Sequence, residues 1–398
     1  MRRNAVQTSD LESDILKNVR ASTGISRVEL ARALGLAPST AGIYVERLIK
    51  DGFLEETNKA ERETGRPPVL LRLNPEGGEF VGVDFEARNV LSVAVDFSDK
   101  PLRNAHSQIG ANDSVDDVIR KIEQTITSVL PPDPKRLLAI GVGVPGLVNS
   151  TDGVAIHYRY IPKWKDVPLV ERLTKKFNVP VYLENNVRSM ALAELWFGQG
   201  LGVDDFVCVG IRSGISAGMV LDGRLYSGAF HDAGEFGRWP CPLLTGKVAG
   251  WFGATGTPGL ELQEISSVRA IQRALQKALS AGQKSVLKGR AQPLSLEDML
   301  GALQQRDPLA TMVIGEAAKC LGAGIAHLSL VVDPQKIVLA GPLTMLGEFV
   351  LQPLRAAAES ILSLSGSRMP ELVNSTMGEF SGALGAAALA VHEWKPAR

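Results

Sequence analysis

The sequence has no excess of charge of either sign, since its 398 residues contain 43 lysines and arginines and 43 aspartates and glutamates. Such a balance excludes a global field that would attract nucleic acid or a membrane, so any such interaction has to come from a local surface. No run approaches the roughly 18 consecutive apolar residues that cross a bilayer. The basic start of the chain is followed by polar residues instead of a signal-peptide core. These absences predict a cytoplasmic protein that does not enter a membrane.

Cysteine is also scarce. Cys208, Cys241 and Cys320 are isolated in the sequence, which excludes a disulfide framework and a Cys-x-Cys metal knuckle and is typical of a reduced chain. The length itself predicts two or three domains, because a single core rarely grows beyond about 250–300 residues.

Residues 1–75 have the pattern of a winged helix-turn-helix domain. An apolar stripe begins at Leu11, and a capping box of Ser26 and Glu29 starts a second helix. A turn at 35–38 then leads into a third helix over 39–49, and a short Gly-containing turn between two helices is typical of a helix-turn-helix.

The third helix is expected to lie in the major groove of DNA. Strands at 51–56 and 69–73, joined by a polar loop, predict a wing that contacts phosphates or a narrow minor groove. A protein-interaction domain is the alternative, but the order of helices, turn and wing favours DNA binding. The predicted DNA contacts are Ser39, Thr40, Tyr44 and Arg47 on the helix and Arg62 and Arg66 in the wing.

The remainder of the chain alternates strand and helix patterns, which predicts an α/β architecture. Strand patterns occur at 80–85, 90–96, 137–144, 206–211, 217–221 and 337–342, and helical patterns at 115–130, 266–281, 295–305, 307–332 and 382–390. No internal repeat stands out.

A polar corner lies at Glu184-Asn185-Asn186, between an apolar strand and a helical pattern. Polar groups at a strand-to-helix corner suit a ligand, because backbone N–H groups and side-chain amides meet there. Asn is equally a favoured N-cap of a helix. The spacing alone leaves both interpretations open.

Five motifs in order resemble those of the ROK family of repressors, open reading frames and sugar kinases. They are Val81–Asp84, Gly143–Gly146, Trp164–Leu169, Leu183–Asn186 and Ala233–Gly237. The resemblance implies an actin-like, ribonuclease H-like ATPase fold of two α/β lobes, here behind the winged helix that marks the transcription-factor branch. It places the first lobe at 76–195 with the C-terminal helix at 381–398, and the second lobe, with effector pocket and dimerisation surface, at 196–380.

The same resemblance argues against kinase activity. Where the family's kinases have a phosphate turn Asp-x-Gly-Gly-Thr, this chain has Asp84-Phe85-Glu86-Ala87-Arg88, in which Glu86 repels phosphate. The catalytic Asp of Glu-Asn-Asp is replaced by Asn186, whose amide cannot accept the hydroxyl proton. A second phosphate turn, at 210–218, is only partly retained. We therefore expect no enzyme activity and no cofactor.

The family's structural zinc is also expected to be absent. Arg238 stands where the family has the His of Glu-x-Gly-His, and the segment at 252–259 has no thiol in place of the family's three cysteines. Cys241 alone does not make a tetrahedral site.

A sugar site is implied by the residues that remain, because carboxylates and amides each fix two neighbouring hydroxyls. Arg238 either pairs with an acidic group of the ligand or forms a salt bridge with Glu235 or Asp232 that replaces the zinc. The matching positions are Gly146, Asn185, Asn186, Glu235, Arg238 and Glu261.

Together these features predict a DNA-binding transcriptional regulator, expected to be a repressor, of carbohydrate metabolism genes. A sugar or sugar derivative bound between the lobes is expected to control a homodimer or higher homo-oligomer on an operator. The alternatives are a residual ATP-dependent sugar kinase fused to a DNA-binding domain, and a DNA-binding protein that responds to no effector.

Overall fold

The computed structural model describes residues 8–58, 69–86, 88–241, 246–253 and 260–396. The chain forms two compact units, one of residues 1–184 with 386–398 and one of residues 185–385. Each is described here by itself.

The first unit begins with three helices and a small sheet and continues into a larger α/β assembly. Its elements are α1 (Thr8–Arg20), β1 (Ile25–Ser26), α2 (Arg27–Ala33), α3 (Pro38–Lys50), β2 (Leu54–Asn58), β3 (Val69–Leu73), β4 (Glu79–Glu86), β5 (Asn89–Asp96), β6 (Pro101–Gln108), α4 (Val115–Val129), β7 (Leu137–Val144), β8 (Leu147–Asn149), β9 (Val154–His157), β10 (Lys165–Val167), α5 (Leu169–Phe177) and β11 (Val181–Asn185).

The second unit follows, and the last helix returns to the first unit. The elements are α6 (Asn186–Phe197), β12 (Phe206–Ile211), β13 (Ile215–Leu221), β14 (Arg224–Tyr226), α7 (Gly246–Phe252), α8 (Leu262–Ser266), α9 (Val268–Ser280), α10 (Leu296–Gln304), α11 (Pro308–Val332), β15 (Lys336–Ala340), α12 (Glu348–Leu364), β16 (Glu371–Asn374) and α13 (Ser381–Glu393).

The winged helix forms as the sequence predicts. Ser26 caps α2 by accepting from the backbone N–H of Glu29, and the Glu29 carboxylate accepts from the Ser26 N–H at 2.9 Å, so the capping box is present. β3 lies between β1 and β2 in an antiparallel sheet that forms the base of the wing.

Two five-stranded sheets of the same topology form the centres of the two units. The first has the order β11-β7-β4-β5-β6 and the second β14-β13-β12-β15-β16. In each sheet an antiparallel three-stranded meander joins a parallel neighbour, which is β7 beside β4 in the first and β15 beside β12 in the second. The predicted two-lobed α/β fold is therefore present, with a topological repeat that the sequence does not display.

Two details differ from the sequence pattern. The helix predicted at 266–281 forms as α9, and the short helix α8, which was not predicted, ends at Ser266 just before it. Ser267 divides the two helices and caps α9 by accepting from the Ala270 N–H at 3.2 Å. A three-stranded sheet of β8, β9 and β10 was not predicted, since its strands have only three or four residues each.

The C-terminal helix packs on the first sheet, as the family resemblance implies. A Cβ atom added to Gly141 in β7 would lie 1.7 Å from the carbonyl oxygen of Ala386 in α13. Only glycine allows this approach of strand and helix backbones.

The winged helix is fixed to the α/β part of the first unit by an aromatic cluster. Phe53 of the winged helix, Phe80, Phe97 and Trp394 form this cluster, with ring centroids of Trp394 at 5.3–5.8 Å from the other three. Beside it, Arg20 of α1 donates to an Asp99 carboxylate oxygen at 2.8 Å and to the Phe97 carbonyl oxygen at 2.9 Å. The winged helix and the first sheet therefore share one core.

The longest helix of the second unit, α11, is apolar enough in composition to cross a membrane, but most of it is buried inside the protein. It packs among α8, α9 and α12, as the core helix of a globular unit does.

Candidate functional site

The recognition helix α3 turns one face to the core and one outward. Ala41, Val45 and Leu48 are buried against the other helices of the domain. Of the predicted DNA contacts, Ser39 is exposed, whereas Thr40 and Tyr44 are half-buried at the flanks of the helix.

Arg47 is held by a partner within the chain. It donates to a carboxylate oxygen of the buried Glu12 at 2.9 Å, and its guanidinium lies 5.3 Å from the ring centroid of Tyr44. The Arg47 side chain stays about half exposed (48%) in this pair. The predicted wing contacts Arg62 and Arg66 lie outside the described residues.

Sequence patterns missed the centre of the outward face. Ile43, with 61% of its surface exposed, lies there between Ser39 and Glu46, and of the predicted contacts only Ser39 shares this face. The signal was present in the spacing, because Ser39, Ile43 and Glu46 occur at i, i+4 and i+7, opposite the buried stripe.

In the first unit, the kinase-like motifs meet at the ends of parallel strands. Asp84, near the end of β4, is buried and pairs with Gly143 of β7. Gly146 follows with φ of 79°, and a Cβ there would lie 2.2 Å from the His157 carbonyl oxygen, so this predicted site residue is required by the turn. Ser150 donates to Glu184 at 3.3 Å, which is consistent with a supporting role for that carboxylate. Ala87 of the first phosphate turn lies outside the described residues.

In the second unit, Asn185 caps helix α6, which is buried over its first nine residues. Its side-chain oxygen accepts from the N–H groups of Val187 at 2.9 Å and Arg188 at 3.3 Å. Asn186, also buried, is the first residue of that helix. The cap interpretation therefore describes Asn185.

Glu235 and Arg238 form a direct ion pair, with the Arg238 Nε atom 3.0 Å from a Glu235 carboxylate oxygen. The salt-bridge alternative for Arg238 is thus present in the protein. The loop that carries Glu235 lies tight against β13, since a Cβ on Gly234 would lie 1.8 Å from the Ala217 carbonyl oxygen.

Arg188 is a site residue that the sequence analysis did not select. From α6 it donates to the carbonyl oxygens of His231 at 2.8 Å and Ala233 at 3.4 Å, which anchors the loop leading to Glu235. The available signal was a charged side chain in a helix that is mostly apolar in sequence.

Glu261 joins the same region through the backbone. Pro240 and Glu261 form an antiparallel bridge, and the Leu262 N–H donates to the Trp239 carbonyl oxygen at 2.9 Å. The Glu261 carboxylate accepts from Gln263 at 2.6 Å and caps α8, so part of its capacity is used within the protein.

The absence of the family's structural zinc stays a prediction. Among the described residues no group of three or more His, Cys, Asp or Glu side chains is arranged to hold a metal ion. The greater part of the segment at 252–259 lies outside those residues.

Burial raises the pKa of Glu235 above its usual value of 4.5, although the nearby guanidinium groups of Arg238 and Arg188 oppose the shift. An acid with a raised pKa holds its proton more tightly in the folded state, so its ionisation removes stability as the pH rises from 4.5 through the raised value. We expect the unfolding free energy of Glu235→Gln, relative to the original protein, to improve across this pH range in urea titrations.

The matched control is Glu359→Gln, which changes an exposed glutamate on α12 and should show no such gain. A difference between Glu235→Gln and the original protein that is the same at every pH would contradict the expectation.

Comparison with known proteins gives separate family matches for the winged helix and for the α/β part of the chain. The ROK family profile matches residues 81–393, and a winged helix-turn-helix DNA-binding profile matches residues 9–55. The xylose repressor of Caldicellulosiruptor bescii is 26% identical over 86% of this chain and 85% of its own length. The glucokinase of Thermotoga maritima is 27% identical over 78% of this chain and 96% of its own length. A crystal structure of a ROK family transcriptional regulator, a homolog of the E. coli MLC protein, has a TM-score of 0.79 at 25% identity and covers 96% of both chains.

Proposed function

Because this chain belongs to the ROK family, we propose that it is a DNA-binding transcriptional repressor of carbohydrate metabolism genes, controlled by a sugar or sugar derivative. The observation that carries the proposal is similarity along nearly the whole chain, winged helix included, to a xylose repressor and to an MLC-like regulator. We place the protein in the cytoplasm as a homodimer, because two winged helices fit the two half-sites of a pseudo-palindromic operator.

The proposal includes the loss of kinase activity that the motifs imply. Phosphoryl transfer to a sugar needs a carboxylate to accept the hydroxyl proton, and the buried amide of Asn186 does not supply one. Glu86, at the end of β4, adds negative charge to the turn that holds ATP phosphates in the kinases. The segment at 210–218, which corresponds to the second phosphate turn of the kinases, lies in the hairpin of β12 and β13 and includes its short turn at 212–214.

The effector class follows from the polar groups of the second unit. We assign sugar hydroxyls to Asn186, Glu235 and Glu261, with Asn185 and Gly146 as supports of the local backbone. The 3.0 Å ion pair of Arg238 with Glu235 favours a neutral sugar, because the guanidinium charge is already compensated.

The test is binding of the purified chain to DNA from upstream of its own gene, with and without sugars. We expect specific binding at low salt that weakens steeply as salt is raised. A neutral sugar such as xylose or N-acetylglucosamine should lower DNA affinity by about 5- to 150-fold, the usual range of coupling between two sites. Glu235→Ala should remove the sugar response and leave DNA binding intact.

Four outcomes decide against parts of the proposal. Failure to bind DNA at low salt rejects the repressor, and DNA affinity unmoved by every sugar favours a regulator without an effector. Turnover of ATP with a hexose in a coupled assay, abolished by Asn186→Ala, would establish the kinase instead. An acidic sugar such as glucuronate that loses affinity selectively in Arg238→Ala would assign Arg238 to the ligand.

A further inference from the structure

The outward face of the recognition helix is centred on an apolar side chain. Ile43 is two residues from both Ala41 and Val45, which places it about 160° around the helix from each of these buried residues. Leu48 is buried on the same core-facing side. Ile43 therefore points away from the domain core, and 61% of its surface is exposed.

The residue before it supports a close approach by something outside the chain. Gly42 lies in the interior of α3, where glycine destabilises a helix relative to alanine. Its φ is not positive, and a Cβ added there would meet nothing within 4 Å. Neither backbone conformation nor packing within the described residues accounts for this glycine. A bare backbone beside an exposed Ile is suited to contact with a groove floor.

The charged neighbours of Ile43 are engaged within the domain. Glu46 accepts from Arg27 at 2.6 Å, and Arg47 donates to Glu12 at 2.9 Å. Both side chains are thus oriented by ion pairs, and Ile43 is the exposed apolar side chain between Ser39 and Glu46 on this face. An isoleucine side chain has no hydrogen-bonding group, so Ile43 makes only apolar contacts through it.

In the major groove, the apolar group that distinguishes one base from the others is the C5-methyl group of thymine. We propose that Ile43 packs against a thymine methyl group in each operator half-site and makes that base pair a specificity position. The inference rests on the proposed DNA-binding function and adds a base identity to it.

The experiment removes the methyl group alone. The upstream DNA is prepared once with thymine and once with uracil in its place, and binding of the original chain and of Ile43→Ala is measured on both at one salt concentration. Loss of one buried methyl contact lowers affinity about fourfold, and about 15-fold when a dimer loses two. We expect the original chain to show this loss on uracil DNA. Ile43→Ala should bind both DNAs with nearly equal affinity, close to that of the original chain on uracil DNA.

The matched control is Val28→Ala, since Val28 on α2 is exposed to nearly the same extent (59%). It should keep the thymine-to-uracil ratio of the original chain. If Ile43→Ala binds neither DNA, Ile43→Val is measured, and an intermediate ratio supports the contact. An unchanged ratio in the Ile43 variants, or equal binding of both DNAs by the original chain, overturns the inference. Failure of the original chain to bind thymine DNA rejects the repressor function instead.

Discussion

Trp394→Ala is expected to lower the free energy of unfolding of the first unit by about 3–5 kcal/mol, the usual cost of truncating a buried aromatic side chain to alanine. Trp394 is only 8% exposed and makes ring contacts with Phe53, Phe80 and Phe97. Removing it leaves a cavity between the winged helix and the first sheet. Urea unfolding followed by circular dichroism measures the loss.

The control for this substitution is Phe230→Ala, because the Phe230 side chain is 85% exposed. A surface truncation of this kind should change stability by no more than about 0.5 kcal/mol. A loss below about 1 kcal/mol for Trp394→Ala would show that the cluster does not hold the domain in place.

Gly141→Ala is expected to destabilise the protein by about 3 kcal/mol or more, at the upper end of the range for overpacked sites. The new Cβ would lie 1.7 Å from the Ala386 carbonyl oxygen. Strand β7 cannot retreat, because it is paired with β4 on one side and β11 on the other. The helix α13 has to shift, and the contacts of Trp394 weaken with it. Thermal unfolding and hydrogen exchange of α13 amides measure the effect.

A glycine-to-alanine substitution at a helical position with free space should instead raise the stability of the protein. Gly315 lies in helix α11, and a Cβ added there meets nothing within 4 Å. Gly315→Ala is therefore expected to stabilise the protein by up to about 1 kcal/mol through helix propensity. Equal changes in the free energy of unfolding for Gly141→Ala and Gly315→Ala would mean that the close approach at Gly141 does not cause the destabilisation.

Local patterns predicted most of the elements, because caps and periodicity are short-range features. The capping box at Ser26 and the helices α3, α4 and α10 formed close to their predicted bounds. Local patterns gave less information on how the strands pair into sheets. The short strands β8, β9 and β10 carry too few residues for a periodic signal, and their stability comes from pairing with one another.

The candidate site was less predictable than the fold. Whether Asn185 caps a helix or binds a ligand depends on backbone geometry, and the structure shows its oxygen accepting two N–H groups of α6. The sequence left an acidic ligand group, Glu235 and Asp232 open as partners of Arg238, and the ion pair with Glu235 appears only in three dimensions. Arg188 was missed because its acceptors are backbone carbonyl oxygens more than 40 residues away.

The discontinuity of the first unit has a consequence for synthesis on the ribosome. Residues 1–184 emerge early, but residues 386–398 of the same unit, including Trp394, follow only after residues 185–385. Domains generally fold as units while the chain grows. The unit whose polypeptide appears first is therefore completed only after residues 185–385 have been synthesised, and until then the face of β7 that receives α13 has no helix to cover it.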